Sequence, residues 1–127
     1  MSVERILDNI MNADKHIRYA TIFDLDGNEI KTSVRKDTDL FLDENATKET
    51  LRYSANAWKI RKSFAPRIGK GQYVLAVYEK LRRLTVPVGD KYLLMITWGT
   101  DAGISDIIER IENMFSGDYT KDPFHLA

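Results

Sequence analysis

The sequence predicts an α/β (α+β) three-layer sandwich, in which one five-stranded, mostly antiparallel sheet lies between helices. Three observations point there. Apolar spacing switches between the three-to-four step of helices and the two-residue step of strands, in the order α-β-β-α-β-β-β-α along 127 residues. Glycine-containing turns, Asp26-Gly27 and Val88-Gly89-Asp90, join neighbouring strands. The last strand, Lys91 to Trp98, is apolar on both alternating sides (Tyr92, Leu94, Ile96, Trp98 and Leu93, Met95), as expected of a strand covered on both faces.

Each element has its own signal. Ser2 is the expected N-cap of a first helix whose apolar positions are Val3, Ile6, Leu7, Ile10 and Met11, with Glu4, Arg5, Asp8 and Asn9 facing water. Arg18 to Asp24 reads as a strand rich in Tyr, Thr, Ile and Phe, and Ile30, Thr32 and Val34 mark its return partner. Arg35 to Leu42 reads as a polar connection. Asp43 or Asn45 caps a longer second helix with Leu51, Ser54, Ala55 and Trp58 on one stripe, continued by Lys62 or by Phe64 and Ala65, and Pro66 is expected to stop it. Gly69-Lys70-Gly71 is a turn. Strands follow at Gln72–Glu79, Leu84–Val88 and Lys91–Trp98, the first two linked by Lys80–Arg83. Thr100 or Asp101 opens a last helix with Ile104, Ile107, Ile108, Ile111, Met114 and Phe115 at helical spacing. Residues 116–127 read as a polar tail anchored at most by Tyr119 and Phe124. With no repeat or linker, residues 1–127 are expected to form one domain.

Composition narrows the function classes. The absence of cysteine removes disulfides, thiolate metal sites and a cysteine nucleophile, and fits a reducing compartment. The charged N-terminus lacks the apolar core of a secretory signal, and the longest apolar run, Tyr92 to Trp98, is far short of the roughly twenty residues of a membrane helix. A cytoplasmic protein with no membrane association is expected. Net charge is zero, yet it is segregated. Residues 1–47 carry six cations against ten acids, residues 48–91 eleven against three, and residues 92–127 two against six. The middle third therefore either forms an electropositive face or is neutralised by its acidic neighbours in the fold.

Several motifs resemble chemistry without completing it. Ile22-Phe23-Asp24-Leu25-Asp26-Gly27 is similar to the DxDG strand of haloacid-dehalogenase-type phosphatases, where one Asp is the nucleophile and both help hold Mg²⁺. Here Asn28 replaces the Thr or Val of that motif, a helix precedes the strand, and too few residues follow for a doubly wound sheet. A hairpin needs the same residues. As a calcium loop the segment would put Ile22 and Ser33 at ligand positions that require acids. Gly69-Lys70-Gly71 precedes a strand, whereas a phosphate-binding loop follows one. His16 and His125 lie far apart, without an acidic partner at ligand spacing, and read as surface side chains. No catalytic, metal or cofactor-binding residue is expected.

The segments RYATIFDLDGNEIKTSV and QYVLAVYEKLRRLTVPVGDKYLLMITW, in this order of elements, resemble the roadblock/LC7 domain over residues 3–115, with an archaeal branch of that profilin-like superfamily as the suspected relation. The resemblance implies a non-enzymatic interaction module that dimerises with itself and, in some members, engages small GTPases. Tyr73, Val74, Leu75, Ala76, Val77 and Tyr78 form an uncharged, proline-free stretch that is an aggregation hazard if left bare on a sheet edge. In roadblock-like domains the corresponding strand pairs with its twin, and the second helix is expected to add Trp58 or its neighbours to the contact. Arg61, Lys62, Arg67, Lys70, Lys80, Arg82 and Arg83 are expected to gather as a basic face for an acidic protein partner. Nucleic acid is the weaker reading of these cations, because the charge balance is zero and no nucleic-acid motif accompanies them, although Trp58, Tyr73 and Tyr78 lie among them. The alternative function is a small-molecule sensor of PAS/profilin-like shape. Against it, the identifiable core positions are filled by Ile, Leu, Val, Phe and Met.

Overall fold

The computed structural model describes residues 2–115; the tail, with Tyr119, Phe124 and His125, lies outside them. The elements are α1 (Val3–Ala13), β1 (Ile17–Asp24), β2 (Glu29–Val34), α2 (Glu44–Lys62), α3 (Ala65–Ile68), β3 (Val74–Val77), β4 (Arg82–Val88), β5 (Tyr92–Trp98) and α4 (Ile104–Met114). The strands form one sheet in the order β2-β1-β5-β4-β3, and every pairing is antiparallel. The connection from β2 to β3 carries α2 from one sheet edge to the other, so the doubly covered β5 sits in the centre, as its two apolar sides require.

Two cores fill the sandwich. On one face Ile6, Leu7 and Ile10 of α1 and Ile107 and Ile111 of α4 close over Ile17, Ala20, Ile22, Leu84, Val86, Val88, Leu94, Ile96 and Trp98. On the other, Leu51, Ala55 and Trp58 of α2 cover Phe23, Leu93 and Met95. The caps follow the sequence in part. The Ser2 hydroxyl accepts the Arg5 N–H at 3.2 Å, and Asp43, not Asn45, accepts the Ala46 N–H at 2.8 Å. Helix α4 begins after Gly103, later than Thr100 or Asp101, and makes no side-chain cap. Helix α2 ends at Lys62, and Pro66 sits in the first turn of α3, where its missing N–H costs nothing. The strand read as Gln72–Glu79 pairs only over Val74–Val77, while β4 starts at Arg82, two residues early, because a tight turn closes where Tyr78 N–H donates to Leu81 O at 2.8 Å.

His16 does have an acidic partner: its Nδ1 lies 2.7 Å from Asp14, whose other oxygen takes Arg110 at 2.9 Å from α4. Arg35 completes this tie by donating to the carbonyls of Met11 (2.6 Å), Ile17 (2.7 Å) and Asp14 (3.1 Å), satisfying backbone acceptors left open where α1 ends and β1 begins. Burial works to raise the Asp14 carboxyl, but hydrogen bonds from His16 and the charges of His16 and Arg110 outweigh it and hold it below the ordinary value. Among the described residues no helix is long and apolar enough to cross a membrane.

Candidate functional site: a free sheet edge and the cleft beside it

Among the described residues, strand β3 pairs with β4 on one side and with no strand on the other. The Tyr78 N–H bond to Leu81 fixes the phase of the ladder. Since N–H groups alternate sides along an antiparallel strand, those of Val74 and Ala76 face β4 and those of Leu75 and Val77 face the open edge. Leu75 packs against the α1/α4 core and Val74 against the α2 core. Tyr73, Val77 and Tyr78 are exposed.

Helix α2 runs beside this edge with two apolar stripes. Leu51, Ala55 and Trp58 face the sheet; Tyr53, Ala57 and Ile60, also at three-to-four spacing, lie across the helix from them, and Phe64 follows just past the helix end. Tyr53 is 75% exposed, Ile60 55% and Phe64 52%, and Ile68 of α3 extends the patch. Trp58 lies on the sheet-facing stripe. It is 8% exposed because the sheet-facing stripe carries it into the core, and its neighbours on the opposite stripe are the open ones. The signal was present in the sequence: Ile60 lies seven residues after Tyr53 in an otherwise polar surface.

The seven cations do not form one uniform face. Arg61, Lys62, Arg67, Lys70 and Lys80 are exposed on the end of α2, on α3 and its turn, and on the β3–β4 turn. Lys62 Nζ donates to Asp90 O at 3.1 Å. Arg82 and Arg83 are half-buried strand residues on opposite faces of the sheet. Arg82 donates to Tyr78 O at 2.7 Å, and the Arg83 guanidinium lies 5.6 Å from the centre of the Tyr78 ring.

Between α2 and the outer strands lies a cleft of about 390 Å³. Its walls are Thr50, Tyr53, Ser54, Ala57, Trp58 and Arg61 on the helix and Val74, Ala76, Arg83 and Thr85 on the strands, with Tyr78 and Glu49 at its ends. The main cores are filled by apolar side chains as the sequence implied, so this space is an open groove and no internal cavity. A narrower recess continues past Thr50 and Arg83 to Tyr19, Met95 and Thr97, beneath Leu40, Phe41 and Leu42. The connection read as polar is thus apolar at its end, where it lies against the sheet.

The DxDG segment is a hairpin. Asp24 accepts the N–H groups of Asp26 and Asn28, both at 2.9 Å, and the Asn28 side-chain amide at 3.1 Å, while Gly27 adopts φ 86°. Burial pushes the Asp24 carboxyl up, and these bonds more than reverse it. Asp26 points elsewhere, 3.5 Å from Lys59 Nζ. Only the Asp24 carboxylate serves the turn; that of Asp26 faces α2.

No family model and no curated protein match this sequence. Solved structures do match its shape. The gliding protein MglB of Thermus thermophilus superposes with a TM-score of 0.71 at 13% identity, covering 87% of this chain and 80% of that one. A roadblock/LC7 domain from Streptomyces avermitilis gives 0.67 at 12% identity over 91% and 95%. Profilin II of Acanthamoeba castellanii gives 0.59 at 15% identity over 85% and 89%. The chain has the roadblock/LC7-like fold, an α+β sandwich on a five-stranded antiparallel sheet.

Proposed function

We propose that this domain is a non-enzymatic, cytoplasmic protein-interaction module that forms a homodimer through β3 and α2. The unpaired β3 edge carries the reading: it exposes backbone groups on Leu75 and Val77, lacks charge, and is flanked by Tyr73, Val77 and Tyr78. A second copy suits it because an antiparallel β3–β3 pair obeys a two-fold axis and extends the sheet to ten strands. The same axis brings the outer stripes of α2 together, covering Tyr53, Ile60 and Phe64. The roadblock/LC7-like fold is consistent with this reading, and a small GTPase, the partner class the family resemblance implies, is the proposed further partner, docking on Arg61, Lys62, Arg67, Lys70 and Lys80. Light scattering at micromolar concentration is the test. The proposal expects twice the 14.6 kDa chain mass, and a monomer would refute it.

A further inference from the structure

We propose that the cleft between α2 and β3–β4 binds a small organic anion, a carboxylate or phosphate group on a flat apolar body, with Arg83 as its anchor. Tyr19, Thr97 and Arg83 stand in one row across β1, β5 and β4, on the sheet face that α2 covers. One step along, Thr85 lies beside Met95 in the next row. A sheet face under a helix is ordinarily apolar, as it is at Phe23, Leu93 and Met95. Here it turns polar where the helix stands off and space opens.

Arg83 of that row is not satisfied from within. Its Nε is wholly buried without a hydrogen-bond partner, while Tyr19, only 8% exposed, has the Thr21 and Thr32 hydroxyls beside it. Arg83 is half-buried and lines the groove, and a charged donor left without an acceptor is destabilising, so an anion seated against its guanidinium removes a penalty. Arg61 approaches from the helix wall, and neither guanidinium makes an ion pair among the described residues. Glu49, the one carboxylate of the cleft lining, is twelve residues before Arg61, about 18 Å along the helix, and Asp39 lines the adjoining recess together with Arg18. Thr50, Ser54 and Thr85 supply hydroxyls; Trp58, Tyr53 and Tyr78 supply aromatic walls. Guanidinium groups pair bidentately with carboxylate or phosphate, and a volume of about 390 Å³ falls within the range of small-ligand sites.

Trp58 lines the cleft, while Trp98, the only other tryptophan, is fully buried on the opposite face and gives a constant background. Benzoate and phenyl phosphate are titrated against the intact protein while tryptophan emission is followed. At least one should give a saturable change below about 10 mM, absent in Trp58→Phe. Arg83→Gln should weaken it about tenfold or more. Ala57→Leu, which fills the helix wall and leaves every charge in place, should block it even if Arg83→Gln proves unstable. No saturable change with either probe, unaltered affinity in both variants, or inorganic phosphate binding as tightly as phenyl phosphate would each overturn the proposal.

Discussion

Proline at adjacent positions of β3 separates the monomer fold from the dimer. At Ala76 the N–H faces β4, so proline removes a ladder bond, strands the facing carbonyl of Arg83 and forces the ring against the partner strand. The expected loss is about 3 kcal/mol or more, a large part of the roughly 5–15 kcal/mol that holds a domain of this size. At Val77 the N–H faces the open edge and the side chain is 55% exposed, so the isolated fold loses only about 1 kcal/mol or less. The two-fold axis makes the edge loss count twice, weakening association by about 2–3 kcal/mol, or roughly 30- to 150-fold. Sedimentation velocity with thermal melts at several concentrations reads both effects. Val77→Pro should be a folded monomer whose Tm no longer rises with concentration, and Ala76→Pro should melt far lower or not fold. Equal damage from the two variants, or an undiminished dimer in Val77→Pro, would refute the assigned ladder phase and the edge pairing.

Further outcomes are expected elsewhere. Gly27→Ala should destabilise the fold by about 2 kcal/mol or more in urea titration, because φ is +86° and a Cβ would meet the Arg52 Cα at 2.7 Å. Asp14 and Asp24 both have folded pKa values below the ordinary 3.8, so their contribution is complete above that value and is lost as pH falls through the folded ones. Denaturant midpoints measured from about pH 6 to pH 2.5 should drop at the acid end, and less in Asp14→Asn. Arg61→Glu with Lys62→Glu should leave Tm within a few degrees and abolish binding to a small GTPase that the wild type binds. Salt-dependent binding of the wild type to unrelated oligonucleotides would favour nucleic acid instead.

Much of the architecture was legible in the sequence because its signals are local. Ser2 and Asp43 cap, Asp26-Gly27 turns, and the double apolar alternation of β5 places it in mid-sheet. The extent of β3 and β4 was not, because it depends on where the Tyr78–Leu81 turn closes, and charged Arg82 and Arg83 conceal the start of a strand. Pro66 reads as a stop from either side, yet it opens α3. The candidate site was half readable. The uncharged run Tyr73–Tyr78 announced an edge, whereas the burial of Trp58 was not readable, because helical spacing alone does not say which of two apolar stripes faces the sheet. The cleft was invisible, since it opens between α2 and the strands β3 and β4, whose facing residues are distant in sequence.

The most direct test of edge pairing is amide hydrogen exchange at single residues of β3 in the native protein. In a lone subunit Val74 and Ala76 bond to β4, and the outward N–H groups of Leu75 and Val77 have only water. If β3 pairs with its twin, Leu75 and Val77 should be protected as strongly as Val74 and Ala76, and should lose that protection on dilution below the dimer dissociation constant. Rapid, concentration-independent exchange at Leu75 and Val77 beside slow exchange at Val74 and Ala76 would contradict the account.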